Sequence, residues 1–232
     1  MNKLQTAVES YGMSESSRAI LAQTPVVIMV SITGGGKNTI IDRLLETNKY
    51  HYVISHTTRP PRENDGVLEQ NGVNYWFVSE EEMLVKLSDG DFIEAKWVHE
   101  SYVYGTSVDE LKHAQESGKI PLLEIDVQGV EEIMRAKPDT RAIFIVPPDY
   151  DTWMKRLTDR GDIVDDELQK RIHTAKKELR TALSSRFFQF LVNDDIDDAV
   201  TTAEKLIEGA SSSDIGRQIA EELLKAIQST IG

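Results

Sequence analysis

The chain has 232 residues, of which 40% are hydrophobic, carries a formal net charge of −13 and contains no cysteine. That length and apolar content suffice for one generous domain or a core with inserted subdomains, while the acidic balance and the lack of a long basic stripe argue against a nucleic-acid partner. Without cysteine there is neither a disulfide framework nor a thiolate metal site, the longest apolar run, Val26–Val30, is far too short to span a bilayer, and Lys3 is followed by polar residues and Glu9 rather than an apolar stretch, so the expected location is cytoplasmic with no membrane partner.

In chain order, residues 1–24 read as an N-terminal helical extension, with Ser14 capping a helix ahead of Arg18–Ala22 and Pro25 ending it. The apolar strand Val26–Ser31 breaks into Ile32-Thr33-Gly34-Gly35-Gly36-Lys37-Asn38-Thr39, and a helix over Asn38–Thr47 follows. Glycines let successive backbone N–H groups turn toward one anion, the helix N-terminus adds its dipole, and a lysine reaches the outer phosphates. The spacing is that of the phosphate-binding loop G-x-x-x-x-G-K-[ST], with two departures: Ser31 replaces the first glycine, and Asn38 replaces the metal-binding hydroxyl, with Thr39 one place later. A second strand, Tyr50–Ser55, runs into Ser55-His56-Thr57-Thr58-Arg59-Pro60-Pro61-Arg62. The prolines restrict the backbone here, so Arg59 and Arg62 read as a preformed pair of forks for phosphate oxygens.

The stretch Thr57–Val108 carries short strands near Tyr75, Phe92 and Tyr102 and reads as an inserted lobe. Beyond it come a helix over Ser107–Ser117, strands Ile120–Ile125 and Ala142–Val146, and a helix over Tyr150–Asp159; such alternation predicts a parallel sheet wrapped by helices. Lys155–Arg171 is rich in charge, holds Arg156, Arg160 and Arg171, and has Gly161 at its tip, as suits a mobile lid. After Gly209, the run Ser211-Ser212-Ser213-Asp214 caps an amphipathic helix bearing Ile219, Leu223, Leu224 and Ile227, whose apolar face covers either the core or a second copy.

The stretch SHTTRPPR, then Asn74-Tyr75-Trp76-Phe77-Val78, Phe92-Ile93-Glu94, Tyr104-Gly105-Thr106-Ser107, Glu124-Ile125-Asp126-Val127-Gln128-Gly129 and Asn193-Asp194-Asp195 together resemble guanylate kinase, in that family's order, from about Pro25 to Ile207. The resemblance implies an α/β fold: a P-loop kinase core with a parallel sheet flanked by helices, an inserted mixed α/β GMP-binding lobe and a small helical lid. The corresponding domain covers 25–208, with core segments 25–56, 109–153 and 172–208, the lobe at 57–108 and the lid at 154–171; the C-terminal helix occupies 209–232. It further implies ATP-dependent, in-line phosphorylation of GMP, with dGMP as a second acceptor, Mg²⁺ accompanying ATP, and a monomer or homodimer.

Guanine presents adjacent N1–H and N2–H₂ donors that one carboxylate can accept together, while its O6 requires a donor such as a hydroxyl. By the resemblance, Glu94 supplies the carboxylate and Thr106 or Ser55 the hydroxyl; adenine would leave Glu94 desolvated and unmatched. By the same resemblance Ser55, Arg59, Arg62, Tyr75 and Tyr104 hold the GMP phosphate, and Asp126 lies near GMP and the metal. ATP falls to Thr33, Gly34, Gly35, Gly36, Lys37, Asn38 and Thr39, with Asn193 against its adenine and Asn38 on Mg²⁺ directly or through water. Lys37, Arg156, Arg160 and Arg171 would neutralise the transferred group; GMP already presents an anionic oxygen, so no strong general base is required. Two other readings stay open. One is a non-catalytic guanylate kinase-like protein-binding module, opposed by Lys37, the three glycines and the lid arginines. The other is a related kinase with a different acceptor, opposed by Glu94 with Thr106.

Overall fold

Three parallel strands, Val27–Ser31, Arg141–Val146 and Phe188–Val192, run through the segments 27–48, 124–131 and 140–232, which form one of two units of the chain. The computed structural model describes residues 3–64, 66–98, 101–159 and 165–231. Arg160 and Gly161, expected in the lid, lie outside the described residues. Strand Arg141–Val146 is central among these three, with Val27 opposite Arg141 on one side and Ala142 opposite Phe188 on the other. Ile28, Met29, Ile143 and Phe144 are fully buried, as near-continuous apolar strands covered on both faces require. Helices Lys37–Glu46 and Ile196–Ile207 pack on one another and on the strands.

The helix Asp214–Ile231 packs on the helix Asp165–Ser184 and on the strand Phe188–Val192. It buries Ala220, Leu223 and Ile227, spaced as one helical stripe. Of the two covers expected for this apolar face, the structure supplies the chain's own; burying Leu223 and Ile227 stabilises it by about 2 kcal/mol each. Among the described residues no helix is long and apolar enough to cross a membrane.

The second unit comprises 1–26, 49–123 and 132–139. It contains a parallel pair, Tyr50–Tyr52 with Ile120–Glu124, and a four-stranded sheet in the order Trp76–Phe77, His56–Thr57, Tyr102–Ser107, Phe92–Val98. The strand expected over Tyr50–Ser55 therefore stops at Tyr52. Just beyond it, the Val53 N–H still reaches the Leu122 carbonyl at 3.0 Å, and the Ile54 N–H is taken by the Glu110 carboxylate at 3.1 Å. A helix over Glu80–Asp89 was not foreseen, although Ser79 and Glu82 form a reciprocal capping box and Gly90 closes it in the left-handed region. The N-terminal extension holds two helices, Lys3–Glu9 and Glu15–Gln23, the second capped by Ser14 as expected. Leu4 is buried with Met83, Leu87, Phe92, Ala95 and Val103, so this extension helps build the core beneath the four-stranded sheet.

Candidate active site

The phosphate loop begins where strand Val27–Ser31 ends and stops at Lys37, the first residue of helix Lys37–Glu46. Gly36 lies at φ +86°, and a Cβ there would overlap the amide nitrogen of Asn193; a Cβ at Gly35 would collide with the Ser31 hydroxyl. Ser31 Oγ reaches the carbonyls of Ile32 and Ile145, each at 2.9 Å, and shares one proton between them. The residue that departs from the loop pattern thus ties the loop to the neighbouring strand, and the glycine at 35 makes room for it. Trp153 Nε1 donates to Thr33 O at 2.8 Å, and Asn193 Nδ2 donates to Gly35 O at 2.9 Å. Sequence reading missed the Trp153 bond; the residue is a fully buried tryptophan on the helix Tyr150–Thr158.

Lys37 pairs with Glu124. The Gly35 N–H donates to Ile32 O at 3.0 Å, so this member of the expected phosphate cradle is engaged inside the loop. Arg156 donates to the Asn193 carbonyl at 2.9 Å, and both line a cavity of about 550 Å³ with Gly34, Gly36, Thr39 and Asp194, within the size range of nucleotide pockets. Asn38 is exposed beside it. Asp126 Oδ1 accepts from Gly129 N at 2.8 Å, which caps the helix Val127–Ala136. Of the lid arginines, Arg156 faces the loop cavity, whereas Arg171 pairs one turn away on its own helix with Glu167 at 2.5 Å.

Glu178, in the same unit, has a buried Oε2 with no hydrogen-bond partner among the described residues. Burial pushes its carboxyl up to about 7, with Asp126 adding to the rise and Lys37 opposing it. A carboxyl raised in the folded state keeps its proton there longer than in the unfolded chain, so its contribution to stability is full below about pH 4.5 and is lost as pH climbs through 7. Glu178→Gln is expected to remove that loss. In urea unfolding at about pH 5 and about pH 8.5, the stability gap should narrow by up to about 3 kcal/mol.

In the other unit, strand Phe92–Val98 pairs antiparallel with Tyr102–Ser107, and the register shifts between Phe92, opposite Ser107, and Glu94, opposite Thr106. A bulge of this kind re-aims a side chain. Glu94 is 6% exposed, and Thr106 Oγ1 donates to its carboxylate at 2.6 Å. Ser55 Oγ lies 3.5 Å from Thr106 Oγ1. The structure therefore gathers the carboxylate and both candidate hydroxyls.

Arg59 is only 4% exposed and is no open fork. Its Nε donates to Tyr104 OH at 2.7 Å, and its two terminal nitrogens donate to Glu69 at 2.8 and 3.0 Å. The guanidinium also lies over the Tyr75 ring, which meets Tyr104 edge-on with centroids 5.6 Å apart. Glu69 accepts the Arg62 backbone N–H as well, at 2.8 Å, and the Arg59 guanidinium holds its carboxyl below the usual range. Arg62 itself is exposed. Sequence reading missed Glu69, because nothing in a variable loop marks which carboxylate faces which arginine. Glu110 was missed too: it is buried, accepts Trp76 Nε1–H at 2.9 Å and the Ile54 N–H, and lies 3.3 Å from His51 Nε2. It thereby anchors the chain neighbours of both Ser55 and Tyr75.

A family model described as Guanylate kinase matches residues 23–210. The chain belongs to the guanylate kinase family. It is 38% identical over 176 residues to guanylate kinase of Neisseria gonorrhoeae, which covers 75% of this chain and 82% of that relative. It is 36% identical over 188 residues to guanylate kinase 1 of rice, 80% of this chain, and spans about half the length, 48%, of that relative. Its fold matches the crystal structure of guanylate kinase from Anaplasma phagocytophilum with a TM-score of 0.59 at 23% identity, over 88% of this chain and 95% of the other. Within this guanylate kinase family chain, the helices Lys3–Glu9 and Asp214–Ile231 lie outside the matched stretch.

Proposed function

We propose that the chain phosphorylates GMP with ATP, and dGMP as a second acceptor, by in-line transfer of the γ-phosphoryl group. The observation that carries this reading is the buried Glu94 carboxylate beside the Thr106 and Ser55 hydroxyls, a set matching guanine's two adjacent donors and its O6 acceptor. Arg59, Tyr75 and Tyr104 form a cluster suited to the GMP phosphate, with Arg62 and Ser55 beside it. On the other unit, Lys37 faces the outer phosphates of ATP, the backbone of Gly34–Thr39 follows them, and Arg156 neutralises charge near the loop. Asn193 acts through the loop, holding the Gly35 carbonyl, and brings its backbone to the adenine side. Arg171 joins Arg156 in neutralising the transferred group, the role the sequence also assigns to Arg160.

Mg²⁺ enters as the ion carried by ATP. Asn38 and Thr39, at the start of the helix that follows the loop, offer the oxygen donors a hard cation prefers, and such an ion keeps most of its ligands as phosphate and water. Bound there, Mg²⁺ shields the triphosphate charge. The amide oxygen of Asn38 serves in place of a hydroxyl.

Positioning Arg59 is the role left to Glu69. Glu69→Gln retains one acceptor oxygen and weakens the fork, and a hydrogen bond to a charged group is worth roughly 1.5–3 kcal/mol. The KM for GMP should rise about tenfold or more, with the KM for ATP unchanged, in steady-state assays. The function as a whole is tested by ADP release from ATP and Mg²⁺ with GMP, AMP, UMP and CMP supplied separately. Turnover with GMP alone is the expected result; silence with all four while GMP still binds would identify a non-catalytic module.

A further inference from the structure

The segment that precedes the family's common stretch reaches the strand that carries Glu94. Tyr11, in the connection between helices Lys3–Glu9 and Glu15–Gln23, accepts the Phe92 N–H at 2.8 Å and donates its own hydroxyl proton to the Phe92 carbonyl at 2.5 Å. One hydroxyl thus bonds both backbone groups of a single residue, much as a neighbouring strand does. Its ring meets the Phe92 ring edge-on at 6.3 Å. Three residues further on, Ser14 N donates to Gly90 O at 3.1 Å, so the connection follows the incoming strand from Gly90 to Phe92. The two Tyr11 bonds fall on Phe92, the residue at which the register shift before Glu94 begins. Burial pushes the Tyr11 hydroxyl up to about 12, so it keeps the proton this pairing needs across the physiological range.

We propose that Tyr11 is a positioning residue for Glu94: the N-terminal extension fixes the bulge that aims the carboxylate at guanine, so GMP affinity depends on residues beyond the family's common domain. This rests on the function proposed above. Leu4, on the same extension, is buried in the cluster with Met83, Leu87 and Phe92, and its side chain has no hydrogen-bonding group. The two residues therefore separate aim from general stability.

The experiment compares the unmodified full chain with Tyr11→Phe and Leu4→Ala in steady-state turnover, with GMP and ATP varied in turn, and in thermal unfolding. Tyr11→Phe keeps the ring and removes both bonds to Phe92. The KM for GMP should rise about five- to twentyfold, with the KM for ATP and kcat at saturating GMP unchanged. Leu4→Ala should lower Tm by more than Tyr11→Phe does while leaving the KM for GMP near that of the unmodified chain. The proposal is overturned if Tyr11→Phe lowers Tm alone, if the GMP and ATP constants move together, or if Leu4→Ala raises the KM for GMP as much as Tyr11→Phe. Should Tyr11→Phe fail to fold, Tyr11→His, which retains one ring N–H, takes its place with the same outcomes. Absence of GMP turnover in the unmodified chain would instead overturn the proposed function, and this inference with it.

Discussion

Lys37→Ala is expected to lower kcat by about a thousandfold or more while leaving GMP affinity nearly intact. The lysine is the first residue of the helix behind the loop and is paired with Glu124. Its ammonium therefore rests against a carboxylate until a triphosphate offers a denser negative charge. Phosphoryl transfer relies on positioning and charge neutralisation more than on covalent chemistry. Removing a cation aimed at the developing charge costs more than losing one neutral donor, which alone is worth about 10²–10³ in rate. Alanine also leaves the Glu124 charge near the phosphates without its partner lysine, which adds repulsion on the ATP side. The residues proposed to contact GMP, Glu94, Thr106 and Arg59, belong to the unit that does not carry Lys37. Calorimetry with GMP and with ATP, beside single-turnover rates, checks the assignment: equal loss of GMP affinity would remove Lys37 from the ATP side.

What could be read from the chain in advance was what local order encodes. The strand, glycines and lysine at Val26–Thr39 announce a phosphate loop because each residue's contribution is to its own stretch of backbone. The capping box at Ser79–Glu82 was equally local, and the helix it starts was legible though unread. Other features depend on which residues meet across the fold. Ser31 read as a departure from the loop pattern, and its hydroxyl bonds the Ile145 carbonyl, 114 residues away in sequence. Arg59 and Arg62 looked like matching open forks, but the fold buries Arg59 against Glu69 and leaves Arg62 exposed. Periodicity and motif spacing carry no information about such pairings, because a carboxylate ten residues away can face any direction until the loop between them is fixed.

Glu94→Gln should weaken GMP by about a thousandfold and leave ATP affinity unchanged. The substitution is nearly isosteric, and the amide oxygen can still accept the Thr106 hydroxyl now held at 2.6 Å by the carboxylate, so the local fold has little reason to change. What changes is the face shown to the base. A carboxylate accepts at both oxygens, whereas an amide presents one acceptor and one N–H₂ group, which opposes a guanine donor instead of pairing with it. In a site where Glu94 is 6% exposed, the mismatched groups have little water to turn to, and leaving a buried charged-type partner unmatched costs about 4 kcal/mol. The register shift beside Glu94 is the kind of irregularity that re-aims a side chain. Parallel titrations with GMP and ATP read the difference directly. A joint fall in both affinities would make Glu94 a structural acid of the sheet; a fall confined to GMP assigns it to the guanine edge, and the Tyr11 brace then acts on the residue that sets the choice of base.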